Sequence, residues 1–425
     1  MEFFFDMNIS ELYNIFKEYP SISTDSRNIK KDSLFFALKG ENFNGNKFAH
    51  EALKKGCKYA VIDEKEYKID DNFFLVDNVL ETLQQLASLH RENLKIPIIA
   101  ITGTNGKTTS KELITCCLSS EIETAYTKGN YNNHIGVPLT MLEINEKHKI
   151  GIVEMGANHK NEISLLCEIA KPNYGVITNI GKAHLEGFKS FEGVKHTKKE
   201  LYDYIKKNNG IIFINNDDKT LNEISENIKS ITYGKKGDVI GEEINSSVYT
   251  QVLFNQIKIN SNLIGNYQFY NIMLAIAISK HFKINEKNII KALESYRPKN
   301  NRSQVIESKH NLIILDAYNA NPSSMNEMIN SFYKIKKENK VCILGDMGEL
   351  GKYSKKEHNE IIKLIQKLNI LTFYIGGEFC KATNKNSFIN MKEFKNYLKE
   401  YPISNSTVLI KGSRSQKLEN IVELL

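Results

Sequence analysis

Ile98-Ile99-Ala100-Ile101-Thr102-Gly103-Thr104-Asn105-Gly106-Lys107-Thr108-Thr109 is the stretch that decides the fold of this chain. Its first five residues form a continuous apolar run, as expected of a parallel strand buried on both faces. From Lys107 onward, KTTSKELITCCL has helical periodicity. Between them, Gly103 and Gly106 allow positive φ and close backbone approach, so successive N–H groups can point at phosphate oxygens. The helix start adds its partial positive charge. Lys107 can reach outer phosphates, and the Thr108 hydroxyl can ligate Mg²⁺. The broad pattern GxxxxGK[ST] needs glycine at position 101, where this chain has Ile101, so the match is to the shorter form TGTNGKT. With strand, glycines and helix in register, Gly103, Thr104, Asn105, Gly106, Lys107, Thr108 and Thr109 are expected to bind a nucleoside triphosphate.

Outward from this loop the strand–turn–helix pattern recurs, with strands expected at Ile150–Met155, Tyr174–Asn179 and Gly210–Asn215. Glu154 falls at the carboxyl end of one strand and His184 in the loop after the next. That edge is where ligands bind in a parallel sheet. A lone histidine in a loop is usually a surface residue, but two such groups beside a phosphate loop suggest metal ligation. Phe191–Tyr204 reads as a helix carrying Lys195, Lys198 and Lys199, and a solvated basic face is the ordinary reading of such lysines. Asn215-Asn216-Asp217-Asp218 ends a strand and fits turn chemistry. Val239–Ile264 shifts to alternation, suggesting an antiparallel element, and helices follow at Asn266–His281 and Glu286–Glu294.

At 425 residues the chain is too long for one core. Residues 1–95 read as a small α/β domain, with apolar runs at 33–38, 59–63 and 73–76 and a helix at Leu80–His90. Residues 96–298 form a central phosphate-loop domain with a mostly parallel sheet. Arg297-Pro298-Lys299-Asn300-Asn301 is a linker. Residues 299–425 then repeat the strand–helix pattern (Leu312–Asp316, Val341–Asp346, Thr372–Gly376, Thr407–Lys411) as a doubly wound, Rossmann-like sheet. The six cysteines show no CxxC spacing and are expected to be reduced. No apolar run reaches the ~20 residues of a membrane span, and the N-terminus lacks the features of a secretory signal, so a cytoplasmic location is expected. The net charge of +7 is mild and its lysines are scattered. A nucleic-acid surface would need a concentrated stripe, whereas an anionic small molecule suits this balance.

The ordered segments TGTNGKTT (102–109), GNYNNHIGVP (129–138), EMGANHKNEI (154–163), TNIGKAHLEGF (178–188), DAYNANPSSM (316–325), LGDMGELG (344–351) and KGSR (411–414) resemble the Mur ligase family. Within it they are most similar to the members that add D-alanyl-D-alanine to UDP-N-acetylmuramoyl-tripeptide. STDSRNIKKDSLFFALKGENFNGNKF (23–48) looks like those members' nucleotide-sugar domain.

The resemblance implies ATP-driven amide formation: a carboxylate attacks the γ-phosphate to give an acyl phosphate, and an amine then displaces phosphate. It implies two Mg²⁺ ions, one held by Thr108 and Glu154, the other by His184 with a carbamylated Lys198 from the segment His196-Thr197-Lys198-Lys199-Glu200-Leu201. Lys107, Glu154, His184 and Lys198 are thus the implied catalytic groups. Asn271 and Arg302 would contact the nucleotide, Asp316 its ribose. Gln268 stands where many relatives have asparagine, which favours a backbone role for that turn. Ser26 and Arg27 would meet the uridine nucleotide. Asn133, Tyr318, Asn319 and Asn321 would position the substrates, and Lys411 and Arg414 would pair with the dipeptide carboxylate. A monomer with no nucleic-acid partner is expected. Folylpolyglutamate synthase shares the loop and metal pattern but lacks the domain suggested by 23–48. Another amino-acid-adding Mur ligase, or a non-catalytic ATP switch, is a further reading.

Overall fold

The computed structural model describes residues 8–244, 248–299 and 301–425. Asn300 of the linker and residues 245–247 of the alternating stretch lie outside the described residues. Three sheets with helices packed on them organise the chain.

The N-terminal sheet is parallel and four-stranded, in the order Ile22–Ser23, Leu34–Phe36, Tyr59–Ile62, Phe73–Leu75. The apolar runs read from the sequence supply its last three strands. Helix Val79–Asn93 ties this unit to the central one. Arg91 on it is buried, and its guanidinium donates to the carbonyls of Leu94 (2.8 Å), Ala170 (2.9 Å) and Lys171 (3.1 Å) and to Asn173 Oδ1 (3.0 Å). A buried cation is tolerated where each of its nitrogens is hydrogen-bonded in this way.

The central sheet has seven parallel strands, in the order Val239–Ile240, Ser230–Gly234, Ile211–Asn215, Tyr174–Ile177, Ile98–Thr102, Ile150–Glu154, Thr124–Tyr126. The four strands expected here are present; the three others are peripheral and partly exposed, so their apolar signal is short. Val239–Ile240 corrects the sequence reading, because it pairs in parallel with Tyr233–Gly234 instead of joining the antiparallel element. Two residues are too few for alternation to report which sheet they join. The antiparallel sheet itself comprises Glu242–Ile244, Tyr249–Phe254 and Ile257–Ile264.

From Ile98–Thr102 the sheet grows outward in both directions, and the crevice at such a reversal, beyond the strands' carboxyl ends, is where doubly wound folds bind ligands. Helix Lys107–Leu118 leaves that point and packs against helix Gln268–His281, both buried on most of their faces.

In the C-terminal sheet, Asn311–Asp316, Ser406–Lys411, Lys340–Gly345, Leu371–Ile375 and Ser387–Phe388 are parallel neighbours. Gln304–Glu307, unexpected from the sequence, adds an antiparallel edge to Asn311–Asp316. All six cysteines are free thiols. Among the described residues no helix is long and apolar enough to cross a membrane.

Candidate active site

The phosphate loop has the shape its glycines foretell. Gly103 has φ 141°, and a Cβ there would lie 2.0 Å from Thr178 Oγ1; Gly106 has φ 79°, and a Cβ there would lie 2.8 Å from Asn271 Oδ1. Both positions therefore require glycine on conformation and on space. The strand end at 178–181 clamps the loop: the amides of Thr104 and Asn105 donate to the carbonyl and side chain of Asn179, both at 3.0 Å, and Thr178 Oγ1 donates to Asn105 O at 2.6 Å. Helix Lys107–Leu118 then starts with its N-terminus toward the cleft. Lys107 folds over the loop, donating to Gly103 O (2.6 Å) and Thr104 O (3.2 Å). Burial lowers its pKa; the Glu154 carboxylate opposes that shift and Arg302 reinforces it.

Glu154 ends its strand only 1% exposed. Its Oε1 accepts from Thr108 Oγ1 (3.2 Å) and Asn132 Nδ2 (2.9 Å), and its backbone N–H donates to Thr127 Oγ1 (3.0 Å). Oε2 is buried without a hydrogen-bond partner, 3.6 Å from Lys111 Nζ. A hydroxyl and a carboxylate whose second oxygen accepts no hydrogen bond form a donor set that suits a hard cation. No cluster of three or more His, Cys, Asp or Glu side chains stands ready for a metal among the described residues. A cation here would take its other ligands from water and phosphate, as Mg²⁺ does. Asn132 and Lys111 were not singled out in the sequence. Asn132 lies inside the GNYNNHIGVP segment and Lys111 one helical turn beyond Lys107, so spacing was the only signal available.

Helix Phe191–Lys207 resolves its own lysines. Its buried face runs through Val194, Thr197, Lys198, Leu201, Tyr202 and Ile205, the spacing of an amphipathic stripe. Lys195 and Lys199 fall off that stripe and pair with Glu223 (3.3 Å) and Asp203. Lys198 is 2% exposed, with its ammonium 5.8 Å from the centre of the Phe188 ring. Burial, aided by the Lys107 charge, pushes its pKa down to about 7, while Glu200 and Glu162 oppose the shift. Glu200 itself accepts the amides of Asn161 (2.8 Å) and Ser164 (2.9 Å), fixing the start of helix Glu162–Ala170 against this one. His184 meets the Glu349 carboxylate through Nδ1. Asp217 and Asp218 serve turn and cap roles: Lys235 N–H donates to Asp217 (2.7 Å) and Leu221 N–H to Asp218 (3.1 Å).

The opposite wall comes from the C-terminal region. Arg302 stacks on Tyr318, its guanidinium carbon 3.7 Å from the ring centre. Asp316 accepts from Lys411 Nζ (2.6 Å) and from the Ser303 amide (3.0 Å). Asn319 lends its carbonyl to Lys411 at 3.4 Å. Asn321 caps helix Pro322–Lys334 and donates through Nδ2 to Asn105 Oδ1 at 2.8 Å, crossing between the walls. Glu327, also missed in the sequence, lines this wall; burial pushes its carboxyl up to about 6, with the Lys411 charge opposing.

One cleft of about 460 Å³ gathers Thr104 to Thr109, Asn133, Glu154, His184, Asn271, Arg302, Asp316, Tyr318, Asn319, Asn321 and Lys411. Asn133 also accepts the Gly136 amide at 2.9 Å, just before helix Gly136–Glu143. Asn271 accepts from Ser110 Oγ (3.0 Å) and donates to Gln268 Oε1 (2.7 Å), bracing the loop–helix junction. Lys198 is buried and is not among the residues that line the cleft wall. Ser26, Arg27 and Arg414 stand outside that wall: Ser26 is buried in the N-terminal unit, Arg27 pairs with Asp25 (2.7 Å) and Arg414 with Glu419 (2.6 Å).

Residues 18–91, 101–279 and 301–414 match, in turn, the Mur ligase family catalytic domain, the Mur ligase middle domain and the Mur ligase glutamate ligase domain. A UDP-N-acetylmuramoyl-tripeptide--D-alanyl-D-alanine ligase of Bacillus subtilis is 33% identical over 422 residues, 95% of this chain and 92% of that protein. The chain belongs to the Mur ligase family. Two solved family structures share its fold. MurF from Acinetobacter baumannii superposes with TM-score 0.85 at 29% identity, covering 95% of this chain and 92% of that one. The MurF ligase of Thermotoga maritima, solved in complex with ADP, gives 0.83 at 27%, covering 95% and 96%. Similarity across the whole length includes residues 18–91, the part that the folylpolyglutamate reading left without a role.

Proposed function

We propose that this chain is the ATP-dependent ligase that joins D-alanyl-D-alanine to UDP-N-acetylmuramoyl-tripeptide, yielding ADP, phosphate and the pentapeptide used in peptidoglycan synthesis. The single observation that carries this reading is the shared cleft: a phosphate loop and a C-terminal wall face one another across it, in a chain similar over its full length to enzymes of that name. ATP would lie along the loop, with its phosphates on the N-terminus of helix Lys107–Leu118, its adenine near Asn271, its ribose near Asp316 and Arg302 reaching the nucleotide from the C-terminal wall.

The loop amides and Lys107 hold the β- and γ-phosphates in line with the attacking carboxylate, and positioning supplies much of the catalysis in such a transfer. Thr108 and Glu154 would hold one Mg²⁺, and His184 with a carbamylated Lys198 a second; bound there, the ions neutralise phosphate charge. An amine lowered to about 7 is neutral often enough to add CO₂. The product is an anion suited to face a cation, where a protonated lysine would repel it. The peptide carboxylate forms an acyl phosphate. The dipeptide amine attacks its carbonyl, and phosphate leaves.

Residues 1–95 would bind the nucleotide sugar with Ser26 and Arg27, residues 96–298 ATP, and residues 299–425 the dipeptide. Asn133, Tyr318, Asn319, Asn321, Lys411 and Arg414 would position the substrates. The reading includes a monomeric, cytoplasmic enzyme with no nucleic-acid partner. The test is phosphate release with the two substrates added separately and together. Release that requires both supports the ligase. Release with glutamate and a folate, or with a single amino acid in place of the dipeptide, would overturn it in favour of another member of the superfamily.

A further inference from the structure

Helix Pro322–Lys334 has two working faces. Met325, Met328, Ile329 and Phe332 are buried in the C-terminal apolar cluster. Asn321 at the cap, then Ser324 and Glu327, follow one another a turn apart along the side that lines the cleft. Among the described residues the Glu327 carboxylate accepts no hydrogen bond. Burial pushes it up to about 6, with the Lys411 charge opposing, so at neutral pH it is an ionised group short of donors. Its neighbours are already committed to one another. Asp316 Oδ2 accepts from Lys411 Nζ (2.6 Å), and Asp316 Oδ1 accepts from the Ser303 amide (3.0 Å) and hydroxyl (3.4 Å). Tyr267 OH bonds Ser303 Oγ (3.2 Å) and reaches Met328 Sδ (3.7 Å), beside Glu327 in the chain. Burial raises the Tyr267 phenol, and the Asp316 and Glu327 charges both add to that shift, so both carboxylates act on this ring.

We propose that Glu327 is a nucleotide-binding residue whose carboxylate accepts from the 2′- and 3′-hydroxyls of the ATP ribose. This rests on the ATP reading above and adds to it an acceptor free to receive the sugar. A vicinal diol offers two O–H donors side by side, and an ionised carboxylate is acceptor-only, with an oxygen for each. Acidic side chains take this part toward ribose in other doubly wound sheets. Asp316 has its oxygens directed to Lys411 and Ser303, which suits it to holding the wall in shape beside the sugar. Glu327 brings the carboxylate that has no partner. The ammonium of the dipeptide would also suit such a group, but the placement favours the nucleoside. Asn321 touches the phosphate loop at Asn105 (2.8 Å), and Glu327 lies about 9 Å of helix rise beyond it. There it shares its surroundings with Tyr267, which precedes Gln268, the residue that accepts from Asn271 Nδ2 (2.7 Å) on the adenine side.

The test is titration calorimetry of the full chain with ATP, 2′-deoxy-ATP and 3′-deoxy-ATP, with Mg²⁺ present, at a pH about two units above the Glu327 value, where the carboxyl is ionised. Wild type is expected to bind each deoxy analogue roughly tenfold more weakly than ATP, the scale of one hydrogen bond to a charged group. Glu327→Ala is expected to bind ATP at least as weakly as wild type binds the analogues, and to distinguish the three nucleotides by about twofold or less. Glu327→Gln, which keeps one acceptor oxygen, is expected to fall between. Inorganic tripolyphosphate, which has no sugar, is expected to bind wild type and both variants equally, so a loss confined to the nucleotides marks the ribose contact. Discrimination retained in Glu327→Ala, or an equal loss of tripolyphosphate affinity, overturns the proposal, as does equal binding of ATP and its deoxy analogues by wild type. Retained discrimination with a raised KM for D-alanyl-D-alanine would assign the carboxylate to the incoming amine instead. Absence of ATP binding by wild type would overturn the ATP reading itself, and this proposal with it.

Discussion

On the central wall of the cleft, Gly103 to Lys111 and Glu154 are aimed by neighbours in their own sheet: Thr178 and Asn179 clamp the loop, and Thr108, Thr127 and Asn132 hold the carboxylate. On the C-terminal wall, Asp316, Lys411, Arg302 and Tyr318 are arranged within their own region, but Asn321 and Glu349 make their contacts across to Asn105 and His184. Further polar bonds span the walls where Lys182 N–H donates to Ser323, Tyr353 OH to Lys189 O and the Glu186 amide to Glu349 O. The Lys182–Glu357 pair joins a half-exposed lysine to a buried carboxylate. A wall held within its own sheet thus faces one held against it across a seam of polar bonds and of Leu185 and Ile264, which join the C-terminal apolar cluster. The difference teaches that substitutions on the first wall should strike the chemical step, and those on the second should strike nucleotide affinity and closure.

The largest expected effect sharpens that contrast. Glu154→Gln keeps the size of the side chain but removes its charge, and is expected to lower kcat by about 10²–10³-fold in steady-state phosphate release. A similar KM for ATP would place the loss on the chemical step, whereas an unchanged kcat would break the picture of the central wall.

Next, Lys198→Ala is expected to lose turnover on the order of 10–100-fold, while Lys195→Ala and Lys199→Ala, which remove only surface pairs, change it by about twofold or less. Unchanged turnover in Lys198→Ala would end the carbamylation reading. The pH dependence has a definite sign. The unfolded chain keeps this amine near 10.5, whereas burial in the fold pushes it to about 7. Between those values the unfolded state binds more protons, so stability relative to Lys198→Met should rise with pH in CO₂-free buffer. Activation by added bicarbonate should grow as pH climbs through about 7, as the neutral amine becomes available. Denaturant titrations and bicarbonate-dependent rates check the two halves separately.

On the C-terminal wall, Asp316→Asn is expected to raise KM for ATP about tenfold, the scale of one charge-assisted hydrogen bond, with a smaller change in kcat. The smallest effect belongs to Arg302→Ala. A part-exposed stacking contact is worth about 0.5–1 kcal/mol, so nucleotide affinity measured by calorimetry should fall only a few-fold. A collapse of kcat in either variant would erase the distinction between the walls.

Much of the central wall was legible because its information is local. A strand, two glycines and a helix start lie within twelve consecutive residues, and Ile98–Thr102 and Lys107–Leu118 form as read. Glu154 and His184 both line the cleft, as expected from chain order, because Glu154 ends one strand and His184 follows the next at the same sheet edge. The edge strands Thr124–Tyr126, Ser230–Gly234 and Val239–Ile240 were hidden, since short, half-exposed segments carry little periodicity. Lys111, Asn132, Thr127, Glu327 and Glu349 escaped for another reason. Each owes its importance to a partner or wall far along the chain, and nothing in its neighbouring residues announces it.

The sequence by itself determined the phosphate loop and the repeated strand–helix order, because backbone sterics and apolar periodicity act over a few residues. Only the tertiary structure decided that Lys198 is the buried lysine of its trio, that Glu154 keeps one unpartnered oxygen beside Lys111, and that Glu349 meets His184. Burial and pairing of this kind depend on which distant segments the packed sheets bring together, and no local pattern encodes that.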